Sequence, residues 1–158
     1  MIMDHKLKLM VVDDSPLFRT WLIRSLSADD RFQVVGYAVN ALDAQEKIPL
    51  LQPDMLTLDI EMPGMSGIDF LKRLLPVHPI PVILVSSLNL RVFDALEAGA
   101  VDFVRKPDEA NGLSKEIFLS MLRSKLMVAA ASHVHLPSAP ADPQAGGIRK
   151  VSSLPPAR

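Results

Sequence analysis

Asp13 and Asp14 follow a strand-like run at residues 7–12, Asp59 follows another at residues 55–58, and Lys106 follows a third at residues 101–105. Three carboxylates brought together repel one another, and burial sharpens the repulsion, so such a cluster calls for a hard divalent cation with oxygen ligands. Magnesium suits that set and brings a phosphate with it. Asp59 could then act as a carboxylate nucleophile toward a phosphoryl group, as in aspartyl-phosphate chemistry. Asp14 would hold the metal directly and Asp13 would orient its water shell. Lys106 would neutralise a phosphoryl oxygen that the metal does not reach, and Ser86 would offer a hydroxyl to another.

These residues meet only if the strands that carry them lie side by side. Apolar runs of strand length alternate with amphipathic stretches of helix length, the pattern of βα units building a parallel sheet. The strands fall at about residues 7–12, 33–38, 55–58, 81–85 and 102–104, and the helices at about 15–27, 42–51, 68–75, 90–98 and 113–131. Ser15-Pro16 predicts a hydroxyl cap with proline in the first helical turn. Leu17, Phe18, Trp21, Leu22 and Leu26 follow with core-facing spacing. The fourth strand is almost wholly apolar, as a central strand covered on both faces must be. Gly99 suits the end of the fourth helix. In an open parallel sheet, ligands bind beyond the carboxyl ends of the strands where connections diverge, which is where Asp13, Asp14 and Asp59 would gather.

Composition narrows the alternatives. A chain of 158 residues with 49% apolar and 22% charged residues can build one α/β domain of ordinary size. A net charge of -1 supplies no field for nucleic acid or anionic membrane. The absence of cysteine excludes disulfide scaffolds and thiolate metal sites. No apolar run is long enough to span a bilayer, and the first residues lack the order of a secretory signal, so the cytoplasm is the expected location. From residue 133 onward, Pro, Ser, Ala and Gly dominate, which predicts a folded domain at residues 1–132 and a flexible linker at 133–158.

Val11-Val12-Asp13-Asp14-Ser15, Leu58-Asp59-Ile60-Glu61-Met62-Pro63-Gly64, Val85-Ser86-Ser87 and Lys106-Pro107 together resemble the signature of two-component receiver domains over residues 7–130. Within that superfamily, the runs 57–63, 84–88 and 99–107, with Val34-Val35-Gly36, most resemble the regulatory domain of the chemotaxis protein-glutamate methylesterases, CheB. The resemblance implies a flavodoxin-like, CheY-like, doubly wound sheet of five parallel strands in the order 2-1-3-4-5. It implies a phosphorelay in which a CheA-like histidine kinase phosphorylates Asp59, with Asp13, Asp14, Asp59 and the Glu61 backbone carbonyl around Mg²⁺. Ser86 and Phe103 would form the switch pair that alters the face made by the fourth helix, fifth strand and fifth helix, where Ile117, Met121 and Leu122 could equally be core. Lys106-Pro107 would carry a cis peptide.

The departures are informative. Ser86 and Lys106 lie 20 residues apart, which implies a shortened loop into the fourth helix, and Asn40-Ala41-Leu42-Asp43 replaces the family's usual Asp-Gly before the second. Gly64-Met65-Ser66-Gly67 is not a nucleophile elbow, because its second glycine stands one position early. No esterase triad resides in the chain, so the resemblance implies a regulatory part whose catalytic domain lies elsewhere, with a stand-alone receiver as the alternative. An aspartyl-phosphate phosphatase or phosphotransferase is a further alternative. It would need an Asp-x-Asp motif where this chain has Asp59-Ile60-Glu61, and an insertion long enough for a cap.

Overall fold

A computed structural model describes residues 6–87 and 91–135, the last three in backbone only. The expected linker at 133–158 and the shortened loop at 88–90 therefore fall largely or wholly outside the described residues. Five strands, β1 (Leu7–Val12), β2 (Phe32–Ala38), β3 (Met55–Leu58), β4 (Val82–Ser86) and β5 (Asp102–Arg105), form one parallel sheet in the order β2-β1-β3-β4-β5. Five helices connect or follow them: α1 (Pro16–Ser27), α2 (Ala41–Leu51), α3 (Gly67–Leu74), α4 (Val92–Glu97) and α5 (Lys115–His135). The order reverses at β1, so the first crossover runs one way along the sheet and the next runs the other.

Strand side chains alternate between two faces, and each face has its own core. Met10, Val12, Leu56, Leu58, Val82 and Leu84 pack with Ala44 and Ile48 of α2, Phe70 and Leu71 of α3, and Ala95 of α4. Leu9, Val11, Met55, Ile83 and Val85 pack with Leu22 and Leu26 of α1 and Phe118, Leu122 and Leu126 of α5. Because both faces are covered, β3 and β4 are buried at every position.

Several local expectations change. Ser15 stands at the N-cap of α1 without a side-chain cap bond; the Asp13 carboxylate instead accepts from the Ser15 N–H at 2.8 Å. Leu17 is 87% exposed, because the apolar stripe of α1 turns inward only from Phe18 onward. Helix α5 begins two residues later than its apolar pattern suggests. Asp108 and Leu113 pair across a short 3-10 turn at Glu109–Asn111, closed by Gly112 at φ 79°, and Ser114 then caps the helix through the Ile117 N–H. On α5 only Leu122 of the three suggested residues is core, while Ile117 and Met121 are exposed. The Lys106–Pro107 peptide is trans: no cis peptide bond occurs among the described residues.

The unusual opening of α2 acquires a reason. Asn40 caps the helix by accepting from the Asp43 N–H at 2.8 Å, and the Asp43 carboxylate reaches back to the Val39 N–H at 3.0 Å. This reciprocal cap performs the start function without the Asp-Gly pair.

Candidate functional site

Asp13, Asp14, Asp59, Ser86 and Lys106 stand at the last rung of a strand or just past it, while Glu61 lies in the turn after β3 and Phe103 within β5. Val12 and Leu58 are partners across β1 and β3, and the next residues of those strands are Asp13 and Asp59. The backbone fixes both, since Asp13 N–H donates to the Ala38 carbonyl and Asp59 N–H to the Val12 carbonyl, each at 3.0 Å. Ser86 and Arg105 are partners across β4 and β5, and Lys106 N–H donates to the Ser86 carbonyl at 3.0 Å. The sheet itself thus aims the acidic and basic side chains at one place.

Carboxylate oxygens of Asp13, Asp14 and Asp59 lie within 4.8 Å of one another. Asp13 and Asp59 are buried, and Asp14 opens to solvent. The Lys106 ammonium bridges the buried pair, 3.0 Å from Asp13 Oδ2 and 3.5 Å from Asp59 Oδ2. One ammonium against three carboxylates leaves a surplus of negative charge. Burial, followed by the Asp13 and Asp14 charges, pushes the Asp59 carboxyl up to about 6, although Lys106 and the Glu61 N–H pull it down. A carboxylate held above its ordinary range by burial and then by neighbouring like charges fits a divalent cation, which would favour its charged form. Oxygen-only donors on three converging carboxylates are the ligand type that magnesium takes.

Glu61 enters through its backbone. Its N–H donates to Asp59 Oδ1 at 3.1 Å, while its side chain is exposed and outside the carboxylate group. Ser86 is fully buried at the end of β4. Phe103 is half-buried on β5, packed against the α2–α4 side of the core. Lys125 of α5 holds that strand by donating to the Asp102 carboxylate and the Phe103 carbonyl at 3.1 and 3.0 Å.

Two supporting residues escaped the sequence reading, and a third showed there only as a turn glycine. Arg19 donates to the Asp13 carbonyl at 2.8 Å, fixing the loop that carries the acidic pair. The Phe18 ring, taken as plain core, lies 4.5 Å from the Lys106 ammonium. Gly67 opens α3 so close to the turn after β3 that a Cβ there would meet the Asp59 carbonyl and Ile60 Cα at 2.9 Å. Only Gly67, a glycine at a helix start, left a visible trace in the sequence.

The family model of the response regulator receiver domain matches residues 9–118, and the chain belongs to that family. Within it, the chain is similar to CheB-type receivers. It is 46% identical over 130 residues to a protein-glutamate methylesterase/protein-glutamine glutaminase of Syntrophomonas wolfei, which covers 82% of this chain and 38% of that protein. A counterpart from Vibrio vulnificus is 43% identical over 137 residues, covering 84% of this chain and 40% of that protein. The chain therefore spans about two fifths of the length of these curated relatives. Among solved structures, the response regulator domain of Thermotoga maritima CheB superposes with a TM-score of 0.71 at 35% identity, covering 88% of this chain and all of that one. The complex of the CheA3 P1 domain with CheY6 from R. sphaeroides contains a chain that matches with a TM-score of 0.65 at 28% identity, over 78% of this chain and 96% of that one. No helix among the described residues is long and apolar enough to cross a membrane.

Proposed function

We propose that this receiver is the regulatory part of a CheB-type chemotaxis methylesterase and that Asp59 is its phosphoacceptor. The observation that carries the reading is the buried Asp13–Lys106–Asp59 bridge, with Asp14 beside it, at the carboxyl ends of three strands. A CheA-like histidine kinase is the phosphodonor. An Asp59 carboxylate oxygen forms the new O–P bond as the N–P bond of the phosphohistidine breaks, and the departing imidazole nitrogen takes up a proton. Asp13, Asp14, Asp59 and the Glu61 carbonyl would hold Mg²⁺, which when bound neutralises phosphoryl oxygens.

Lys106 pairs with a phosphoryl oxygen that the metal does not reach, and the Ser86 hydroxyl serves another. Phe103, half-buried beside them, follows Ser86 and carries the change to the outer face of α4, β5 and α5. That face presents Phe93, Val101, Ile117 and Met121 as exposed apolar groups, which supports a docking role. The protein acts in the cytoplasm. Residues 1–132 form the receiver and 133–158 the linker to an effector domain, a reading supported by the two-fifths coverage of the methylesterase relatives.

The test is to incubate the chain with Mg²⁺ and a small phosphoryl donor such as phosphoramidate and follow intact mass. The expected result is one phosphoryl adduct that vanishes in Asp59→Asn. No adduct under conditions that label a control receiver would overturn the reading, and steady turnover of unrelated phosphate esters would favour a phosphatase.

A further inference from the structure

The Lys106 ammonium has three N–H donors. Two point toward carboxylates, Asp13 at 3.0 Å and Asp59 at 3.5 Å. The third side is closed by the Phe18 ring, whose centroid lies 4.5 Å from Nζ. An ammonium over a ring face at that distance is attracted by the ring's negative face, and the attraction grows as water is excluded. The Lys106 side chain retains only 16% of its exposure.

Phe18 is itself held. Its centroid lies 5.6 Å from that of Trp21 and 5.9 Å from that of Phe118, the latter edge-on, and Trp21 and Phe118 are 5.9 Å apart. Phe118 is fully buried on α5, so a three-ring cluster joins α1 to α5 and presents one ring to the site lysine. Lysine is a flexible chain with many rotamers, and a fixed surface on its free side restricts it to those that face the carboxylates.

We propose that Phe18 is a positioning residue for Lys106, its ring face occupying the third side of the ammonium so that the charge stays aimed at the phosphoryl group on Asp59. The role requires the ring's electron distribution as well as its bulk. It rests on Asp59 being the phosphoacceptor.

The experiment replaces Phe18 in the full chain by mono-, di- and trifluorophenylalanine, which keep the ring's shape while progressively withdrawing its negative face. The rate of adduct formation with phosphoramidate and Mg²⁺ should fall stepwise with fluorination, reaching roughly fivefold across the series, with Phe18→Leu at or below the trifluoro value. Phe18→Trp should retain most of the rate. A second readout needs no phosphorylation: the Lys106 ε-methylene protons should show an upfield ring-current shift in NMR that Phe18→Leu abolishes. A flat rate across the fluorinated series, or an unshifted Lys106 methylene in the native chain, overturns the positioning role while leaving Asp59 as acceptor. A native chain that takes no phosphoryl group overturns both.

Discussion

Replacing Asp59 by Asn should stabilise the protein at neutral pH. The carboxyl is raised from 3.8 to about 6 by burial and by Asp13 and Asp14, even with Lys106 opposing. The folded state therefore holds the proton more tightly than the unfolded chain, so stability is greatest below about pH 4 and declines as pH rises toward 6. A rise of about two units corresponds to about 3 kcal/mol at neutral pH. Solvent reaches the cluster at Asp14, and screening there reduces the expected gain of Asp59→Asn to about 2 kcal/mol. For a domain of this size that is roughly 8 °C in Tm. Urea or thermal unfolding in metal-free buffer at pH 7.5 and at pH 4 measures it. The variant should be the more stable at pH 7.5, and the gap should close by pH 4. Millimolar Mg²⁺ should stabilise the native chain and narrow the gap. Equal stabilities at pH 7.5, or a gap unchanged at pH 4, would refute the account of a charge-strained carboxylate cluster.

Lys106→Met should cost about 2 kcal/mol in metal-free urea unfolding, because it strands two buried carboxylates, and should abolish the NMR changes at Phe103 expected on phosphorylation of the native chain. Gly67→Ala should cost at least about 2 kcal/mol and slow adduct formation, since the new methyl meets backbone atoms of Asp59 and Ile60; calorimetry and intact mass check both effects. Asn40→Ala should cost about 1 kcal/mol through loss of the α2 cap, with adduct formation unaffected.

The acidic trio and the strands that end at it were legible because the runs at 9–12 and 55–58 stop where an acidic residue begins, whereas Lys106 stood out through the proline after it and the carboxylates it would face. The bounds of β1 and β3 follow directly from that contrast. Supporting contacts were less visible for physical reasons. Phe18 occupies a core-like position in its helix, and nothing in the spacing distinguishes a ring that meets other rings from one that also meets an ammonium. Arg19 looks like any solvated arginine until the β1–α1 turn brings the Asp13 carbonyl to it. Ile117 and Met121 share apolar character with Leu122, yet the register of α5 sends only the last inward. The trans Lys106–Pro107 bond departs from what family resemblance implied.

The backbone bonds that continue the sheet's ladders into Asp13, Asp59 and Lys106 make the site a test of completed folding. Slipping any one strand by a single residue would turn its terminal side chain to the opposite face of the sheet. A chain emerging from the ribosome acquires its two carboxylate strands early and its lysine only with β5, the last strand of the sheet among the described residues. Half-made or misregistered molecules thus lack the assembled carboxylate–lysine cluster.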